Sequence, residues 1–266
     1  MITDFIFDGY ALSDFGYIMF FEDALDTSVV SNMEFSDIKG ARSDIAQQVS
    51  YSYGENYNCS FLIIKNLCYY DGEEQFMTND DISEMVRWLA CKKYKWFRFV
   101  DSDDTDEIWY KAQIQIEKEF AGDRVIGLHL SIVTNAPYGF TKEYTVNRNM
   151  RNATEEFQIL VPSDEHGRIY PDVSIKMLSA GMFTLQNRDT GKTTIIRDCD
   201  ANEIITIQGG NLCQISSTKN HNWESDFNYI FPYFEIDGTD DVRYLYNGSN
   251  CDITFQFRGI RKVGMG

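Results

Sequence analysis

The chain has 266 residues, of which 43% are hydrophobic and 15% aromatic, and its formal net charge is −17. This composition excludes a disordered or collagenous protein. The acidic excess is uneven, since residues 1–140 hold 24 Asp and Glu against 11 Lys and Arg, whereas residues 141–266 hold 17 against 13. Such a surface repels nucleic acid and anionic membranes over a Debye length of about 10 Å.

Two features of the sequence bear on the compartment. The N-terminus has no basic segment followed by an apolar one, and no stretch approaches 18 apolar residues, so we expect neither a signal peptide nor membrane insertion. The six cysteines form no CxxC pair, and none stands near a histidine at a metal-ligand spacing. We expect free, mostly buried thiols in a reducing compartment.

The chain begins with two predicted turns, within FIFDGYALSDFGYIM at residues 5–19. Asp8-Gly9 interrupts an alternating apolar pattern and predicts a hairpin turn. Ser13-Asp14-Phe15-Gly16 predicts a second turn that returns the chain to the sheet. The only groups here that could act in acid–base chemistry are the acidic residues of the turns. Aspartate is common in turns for conformational reasons, so these residues do not indicate an active site.

The rest of the first half predicts strands and one helix. Strands are predicted at 56–66 and 123–135 from their β-branched, aromatic and alternating residues. Residues 78–94 predict a helix, because Ile82, Met85, Val86 and Leu89 recur at helical spacing. Thr78 or Asn79 is expected to cap it, with Lys92 and Lys93 near its negative end.

Residues 95–120 predict a hairpin around an acidic turn that contains Asp101, Asp103, Asp104 and Asp106. The turn fails the EF-hand pattern, which needs glycine at position 6 and glutamate at position 12. We interpret it as a solvated hairpin tip, with a looser Ca²⁺ site as an alternative.

TNAPYGF at 134–140 is the best domain boundary, because a strand ends there and proline and glycine follow. We predict domains at 1–137 and 138–266. The second domain shows eight short strands separated by turns and no helix, which predicts a β-sandwich. The fold class is therefore mainly β, with one helix in the first domain.

No motif for catalysis or cofactor binding is present. The sequence lacks GxGxxG, P-loop and GxSxG patterns, and its three histidines are far apart. We expect no enzymatic activity, no cofactor and no metal. Trp223, in the HNWE run at 221–224, is either a loop-anchoring aromatic or a platform for a sugar ring.

Several short motifs together resemble the distal tail (Dit) proteins of siphophages. Their order and spacing along nearly the whole chain carry the resemblance: FIFDGYALSDFGYIM, PYGF, RIYPDVSIKM, GMFTLQNRDTGKTTII and LYNGSNCDITFQFRGIRKVG.

The resemblance implies a ring-forming N-terminal domain like that of tail-tube proteins, followed by a galectin-like sandwich. It implies a hexameric ring around a channel for DNA, with back-to-back rings as an option. Its partners would be the tail-tube protein, a tail-associated fibre or lysin protein and a receptor-binding protein, at the tip of a virion tail made in the host bacterial cytoplasm. Asp8, Gly9, Phe15 and Gly16 become candidate ring-interface residues, and the acidic turn becomes a candidate for the channel wall.

Two other functions stay open. A carbohydrate-binding protein would use Trp223 and nearby tyrosines to stack on cell-wall sugars. An unrecognised hydrolase is the third hypothesis, and the absence of a paired nucleophile and base argues against it.

Overall fold

A computed structural model describes residues 2–21, 57–66, 76–101, 107–210, 214–237 and 241–262, together with the backbone of 32–37 and 47–52. The chain divides into two compact units, of which the first comprises the residues up to Phe140 together with those from Arg261 onward, and the second is Thr141–Ile260. Both are built mainly from antiparallel strands, so the predicted mainly β fold is confirmed. None of the described helices is long and apolar enough to cross a membrane.

The described part of the first unit contains strands and two helical segments. Its elements are β1 (Ile2–Phe7), β2 (Tyr10–Ala11), a 3₁₀ helix (Leu12–Phe15), β3 (Tyr17–Phe21), β4 (Asn32–Asp37), β5 (Gln47–Ser52), β6 (Asn58–Lys65), α1 (Asn79–Leu89), β7 (Lys95–Asp101), β8 (Tyr110–Ala121), β9 (Arg124–Thr134) and β10 (Gly139–Phe140).

Seven of these strands form one antiparallel sheet in the order β2-β1-β7-β8-β9-β6-β3. β4 and β5 pair with each other as a separate hairpin. β7 and β8 form the predicted hairpin, in which Phe97 faces Tyr110. β9 confirms the predicted alternation, because Leu128, Leu130 and Ile132 are buried while His129 and Ser131 are partly exposed.

Helix α1 covers one side of the first unit's core and is shorter than predicted. It ends at Leu89 instead of residue 94, because Ala90 leaves the helical conformation and the chain must reach β7 at Lys95. Lys92 and Lys93 therefore lie beyond the helix and do not belong to its last turn. Val86 was assigned to the apolar stripe, but its side chain is 41% exposed.

The second unit is built on a β-sandwich of two sheets, and its described residues include one short helix. Its elements are β11 (Tyr144–Met150), β12 (Thr154–Leu160), β13 (Gly167–Ile169), β14 (Asp172–Met177), β15 (Gly181–Asn187), β16 (Thr193–Cys199), β17 (Ile204–Gln208), β18 (Gln214–Ser217), α2 (Trp223–Asp226), β19 (Phe234–Ile236), β20 (Asp241–Asn247) and β21 (Cys251–Phe257), and β22 (Ile260–Arg261) follows.

The two sheets of the sandwich run in the orders β11-β21-β14-β17-β18 and β12-β20-β15-β16. Alternating residues of both sheets enter one hydrophobic core, which includes Ile175, Phe183, Ile205, Tyr244 and Phe255. This packing is what the period-two pattern of the second half predicts. The single-turn helix α2 was not expected.

Candidate functional site

The Asp8-Gly9 turn is the first predicted assembly feature, and the structure shows why these residues occupy it. Phe7 pairs with Tyr10 across the turn, and Asp8 and Gly9 both have left-handed backbones with φ of 50° and 89°. A two-residue hairpin needs two positive φ angles, which Asp-Gly supplies at little cost. The Asp8 carboxylate pairs with the Lys95 Nζ at 2.8 Å, which ties the turn to the start of β7.

The second predicted turn is a 3₁₀ helix that ends at Gly16. Gly16 has φ of 78°, a conformation that costs other residues about 1–2 kcal/mol. The side chain of Phe15 is partly buried, and its ring stacks on Trp88 with centroids 4.4 Å apart. Phe15 therefore stabilises its own subunit, and any contact it makes with a neighbouring subunit would be additional.

Trp88 is the residue at this site that the sequence reading missed. Its indole lies between Phe15 and Phe5, whose ring stacks on it at 5.6 Å, and its Nε1 donates to the backbone oxygen of Phe7 at 3.0 Å. The signal was available, because position 88 lies three residues after Met85, which places it beside that buried residue on the helix surface. Trp88 joins helix α1, β1 and the 3₁₀ helix into one support for the N-terminal stretch.

Two aromatic residues near Phe15 in the sequence are exposed. Tyr10 is 58% exposed on β2, and Phe20 is 46% exposed on β3. These strands stand at the two ends of the seven-stranded sheet, and among the described strands β3 pairs with β6 alone. An edge strand with an exposed aromatic residue is suited to pairing with another chain.

The acidic turn is only partly described. Asp101 is the last residue of β7, while Asp103, Asp104 and Asp106 lie outside the described residues. Beyond the turn, Glu107 pairs with Arg98 at 3.5 Å.

A buried polar cluster lies in the second unit, around a histidine for which the sequence predicts no partner. His221 has a fully buried side chain, and its Nε2 lies 2.6 Å from the Glu203 Oε1 while its Nδ1 lies 3.0 Å from the Asp226 Oδ2. Glu203 is also fully buried, and it accepts hydrogen bonds from the Ser217 hydroxyl and from the Asp200 backbone N–H. The bonds from His221 and Ser225 lower the pKa of Asp226.

Cys199 lies beside this cluster but is not an activated nucleophile. Cys199 is 2% exposed, and burial together with the charge of Glu203 raises the pKa of its thiol to about 12. Catalytic cysteines are accessible and have lowered pKa values. The grouping of cysteine, histidine and aspartate here does not support covalent catalysis.

Trp223 begins α2 and packs against this cluster. Its ring stacks on His221 with centroids 4.5 Å apart and meets Phe227 edge to face at 6.4 Å. Trp223 is partly buried against the core of the sandwich. Its role as a sugar platform remains a prediction, and the packing gives it a structural role that needs no sugar.

A shallow cavity of about 360 Å³ opens on the four-stranded sheet, away from Trp223. It is lined by Glu156, Phe157, Gln158, Arg188, Arg243 and Tyr244. Arg188 pairs with Glu156, and Arg243 pairs with Asp189. The arginines that line the cavity therefore already form ion pairs with carboxylates of the same unit.

Comparison with known proteins identifies relatives for both halves of the chain. Residues 1–136 match the family described as "Phage tail protein N-terminal domain", and residues 138–257 match "Phage tail C-terminal domain". No curated protein matches the chain.

Solved structures show a similar fold. The Dit protein of phage SPP1, described as a paradigm of the hub adsorption apparatus in phages that infect Gram-positive bacteria, aligns with a TM-score of 0.57 and 12% identity over 97% of this chain and 99% of its own. A chain of the phage P2 baseplate in its activated conformation aligns with a TM-score of 0.48 and 8% identity over 97% of this chain and 98% of that chain.

Proposed function

The chain belongs to the phage tail protein family, and on that premise we propose that it is the distal tail protein of a phage or prophage tail tip. In this proposal it forms a hexameric ring that joins the tail tube to the receptor-binding apparatus and lets DNA pass through its channel. Residues 1–137 form the ring, and residues 138–266 form a galectin-like docking domain. The chain is made in the host bacterial cytoplasm and ends in the virion.

One observation carries this proposal. Both halves match phage tail domains in the expected order, and one fold, that of the SPP1 Dit protein, extends over 97% of the chain. A chance likeness of one β domain would not extend through a second domain of different architecture.

The edge strands of the first unit support self-association. β3 presents an unpaired side within the described sheet and carries the exposed Phe20, while Tyr10 is exposed on β2. In a closed ring of identical subunits, one repeated contact can cover the edge strand of every subunit, and no edge strand is left exposed at an end. We propose that Asp8, Gly9, Phe15 and Gly16 lie near this contact, held in place by Trp88 and Lys95.

The charge distribution supports a channel that does not retain DNA. The acidic excess is concentrated in residues 1–140, the part proposed to surround the channel. Like charge repels the phosphate backbone and removes the cation contacts on which nonspecific DNA binding depends. We propose that the acidic turn with Asp101, Asp103, Asp104 and Asp106 lines the channel.

The second unit is proposed to bind other tail-tip proteins and to have no catalytic role. The partners we propose are the receptor-binding protein and a fibre or lysin protein, with the tail-tube protein on the opposite face of the ring. Catalysis has no support in the Cys199 environment, because the thiol is buried and its pKa is raised.

The mass of the purified assembly tests the proposal. We expect light scattering to give a mass near six times the 30.8 kDa of one chain, or twice that for back-to-back rings, and negative-stain images to show a ring. If the free chain is monomeric, the same ring must appear on mixing with the tail-tube protein. A chain that stays monomeric and fails to join a tail tip would contradict the proposal.

A further inference from the structure

Three potential metal ligands meet inside the second unit. The Sγ of Cys199, a carboxylate oxygen of Glu203 and an imidazole nitrogen of His221 all lie within 4.8 Å of one another, and all three residues are buried. We propose that Cys199, Glu203 and His221 bind a Zn²⁺ ion that joins the two sheets of the sandwich. This inference is independent of the ring proposal.

The donor set fits zinc better than calcium or magnesium. Thiolate, imidazole and carboxylate are the three side-chain ligands that Zn²⁺ takes in proteins, whereas calcium and magnesium take oxygen ligands. Three protein ligands leave a fourth tetrahedral position, which a water molecule would fill. Binding replaces the thiol proton of Cys199 by the metal and releases that proton to solvent.

Small side-chain movements produce the geometry. Tetrahedral Zn²⁺ with bonds of about 2.0 Å to nitrogen and oxygen and about 2.3 Å to sulfur places ligand atoms roughly 3.3–3.5 Å apart. The His221 Nε2 and Glu203 Oε1, now 2.6 Å apart, must separate by less than about 1 Å, and the cysteine sulfur, which lies within 4.8 Å of both, must approach by up to roughly 1.5 Å. Shifts of this size are of the order that side-chain rotation produces.

The neighbours of the three ligands form the outer hydrogen bonds that such a site requires. The Asp226 carboxylate lies 3.0 Å from the His221 Nδ1, and such a carboxylate contact orients an imidazole that binds a metal through its other nitrogen. Both ring nitrogens lie within hydrogen-bonding distance of a carboxylate, so Nε2 and Glu203 already face each other where a cation would bind.

The backbone also holds the ligands in position. Asp198, which precedes Cys199, and Asn202, which precedes Glu203, have left-handed backbones with φ of 57° and 66°. Cys199 ends β16 in the four-stranded sheet, and Glu203 precedes β17 in the five-stranded sheet. A metal bound here would link one end of the sandwich across both sheets and fix the loop that carries His221.

Cobalt substitution tests the site in the full-length chain. Co²⁺ added to the metal-free protein is expected to bind at one ion per chain, with a thiolate-to-cobalt charge-transfer absorption and the visible bands of tetrahedral cobalt, and added Zn²⁺ should displace it. Cys199→Ser should lose the charge-transfer absorption. Asp226→Asn should weaken binding about 10–100-fold, because it alters the bond that orients His221.

Cys59→Ser is the matched control, because Cys59 is a buried thiol of the first unit whose pKa burial also raises to about 12. It should leave the cobalt spectrum unchanged. The proposal is overturned if the wild-type chain shows no thiolate absorption with Co²⁺, a result that needs no variant to fold. It is equally overturned if Cys199→Ser, folded by circular dichroism, keeps the wild-type spectrum.

Discussion

At the scale of single residues, Trp88 and the residues around it explain the N-terminal stretch. Phe15 was singled out as an interface residue, and its ring stacks on the Trp88 indole, while the indole N–H bonds to the backbone of β1. A residue that supports its own subunit can affect assembly without touching a neighbour. Stability and ring formation must therefore be measured separately in variants of this stretch.

We expect Phe15→Ala to lower the free energy of unfolding by about 2 kcal/mol, because it removes a stacked and partly buried ring. Chemical denaturation of the dissociated chain measures this effect. Phe20→Ala is the control, and its exposed ring should change stability by less than about 0.5 kcal/mol. If Phe15→Ala leaves stability unchanged but prevents assembly of the hexamer, the Phe15 side chain contacts a neighbouring subunit directly.

Gly16→Val tests the backbone of the same turn. The φ of 78° is unfavourable for a β-branched residue, so we expect a loss of at least about 1 kcal/mol in the dissociated chain. Gly259→Val is not a usable comparison, since its Cβ would meet the backbone of Pro162. Gly191→Ala, at an open turn in the second unit with φ of 71°, is the better control, because it should destabilise without affecting a ring made by the first unit.

At the scale of elements, helix α1 is bounded by a network at its N-terminus. Asp81 accepts hydrogen bonds from the Thr78 backbone N–H, the Thr78 hydroxyl and the Lys65 Nζ, each at 2.6 Å. Burial acts to raise the pKa of Asp81, but these hydrogen bonds outweigh it and lower the pKa. Of the two predicted caps, Thr78 is the one present, and it forms a capping box with Asp81 that Lys65 of β6 ties to the sheet.

The lowered pKa of Asp81 predicts a pH-dependent contribution to stability. Because the folded pKa lies below the ordinary value near 4, the contribution is complete above that value and is lost as the pH falls through the folded pKa. Asp81→Asn should therefore destabilise the chain by about 1 kcal/mol at pH 7, and the difference from wild type should shrink in acid. Thermal unfolding across this pH range measures it.

Asp80→Asn is the control for that measurement. Asp80 lies in the same first turn and is exposed, so its charge interacts mainly with the helix dipole and its loss should cost about 0.3–1 kcal/mol. The difference in stability between wild type and Asp81→Asn should shrink in acid. If it stays the same, the hydrogen bonds of the Asp81 carboxylate are not its source.

At the scale of the whole molecule, the two units differ in architecture and in charge. In the described residues, the first contains a seven-stranded sheet, a helix against it and a separate hairpin, and the second is built on a sandwich of two sheets. The acidic excess falls mainly on the first. This division matches a protein in which one part forms a channel and the other presents binding surfaces, as we propose.

The channel proposal predicts an effect on genome ejection. Phage that carry Asp101, Asp103, Asp104 and Asp106 replaced by asparagine should eject DNA more slowly, because an uncharged wall no longer repels the phosphates. Ejection triggered in vitro and followed by a DNA-binding dye measures the rate. An equal number of neutralised acids on the second unit, Glu143, Glu156, Glu224 and Asp241, provides the control, and wild-type kinetics in the channel variant would remove the channel-wall assignment.

The sequence by itself determined the local features: the Asp8-Gly9 hairpin turn, the cap of α1, the alternation of β9 and the series of short strands in the second half. These depend on backbone sterics and side-chain spacing within a few residues. Only the tertiary structure decided that Trp88 packs on Phe15 and that Cys199, Glu203 and His221 meet. Such contacts depend on which strands pair and which sheets face each other, and spacing along the chain does not encode that choice.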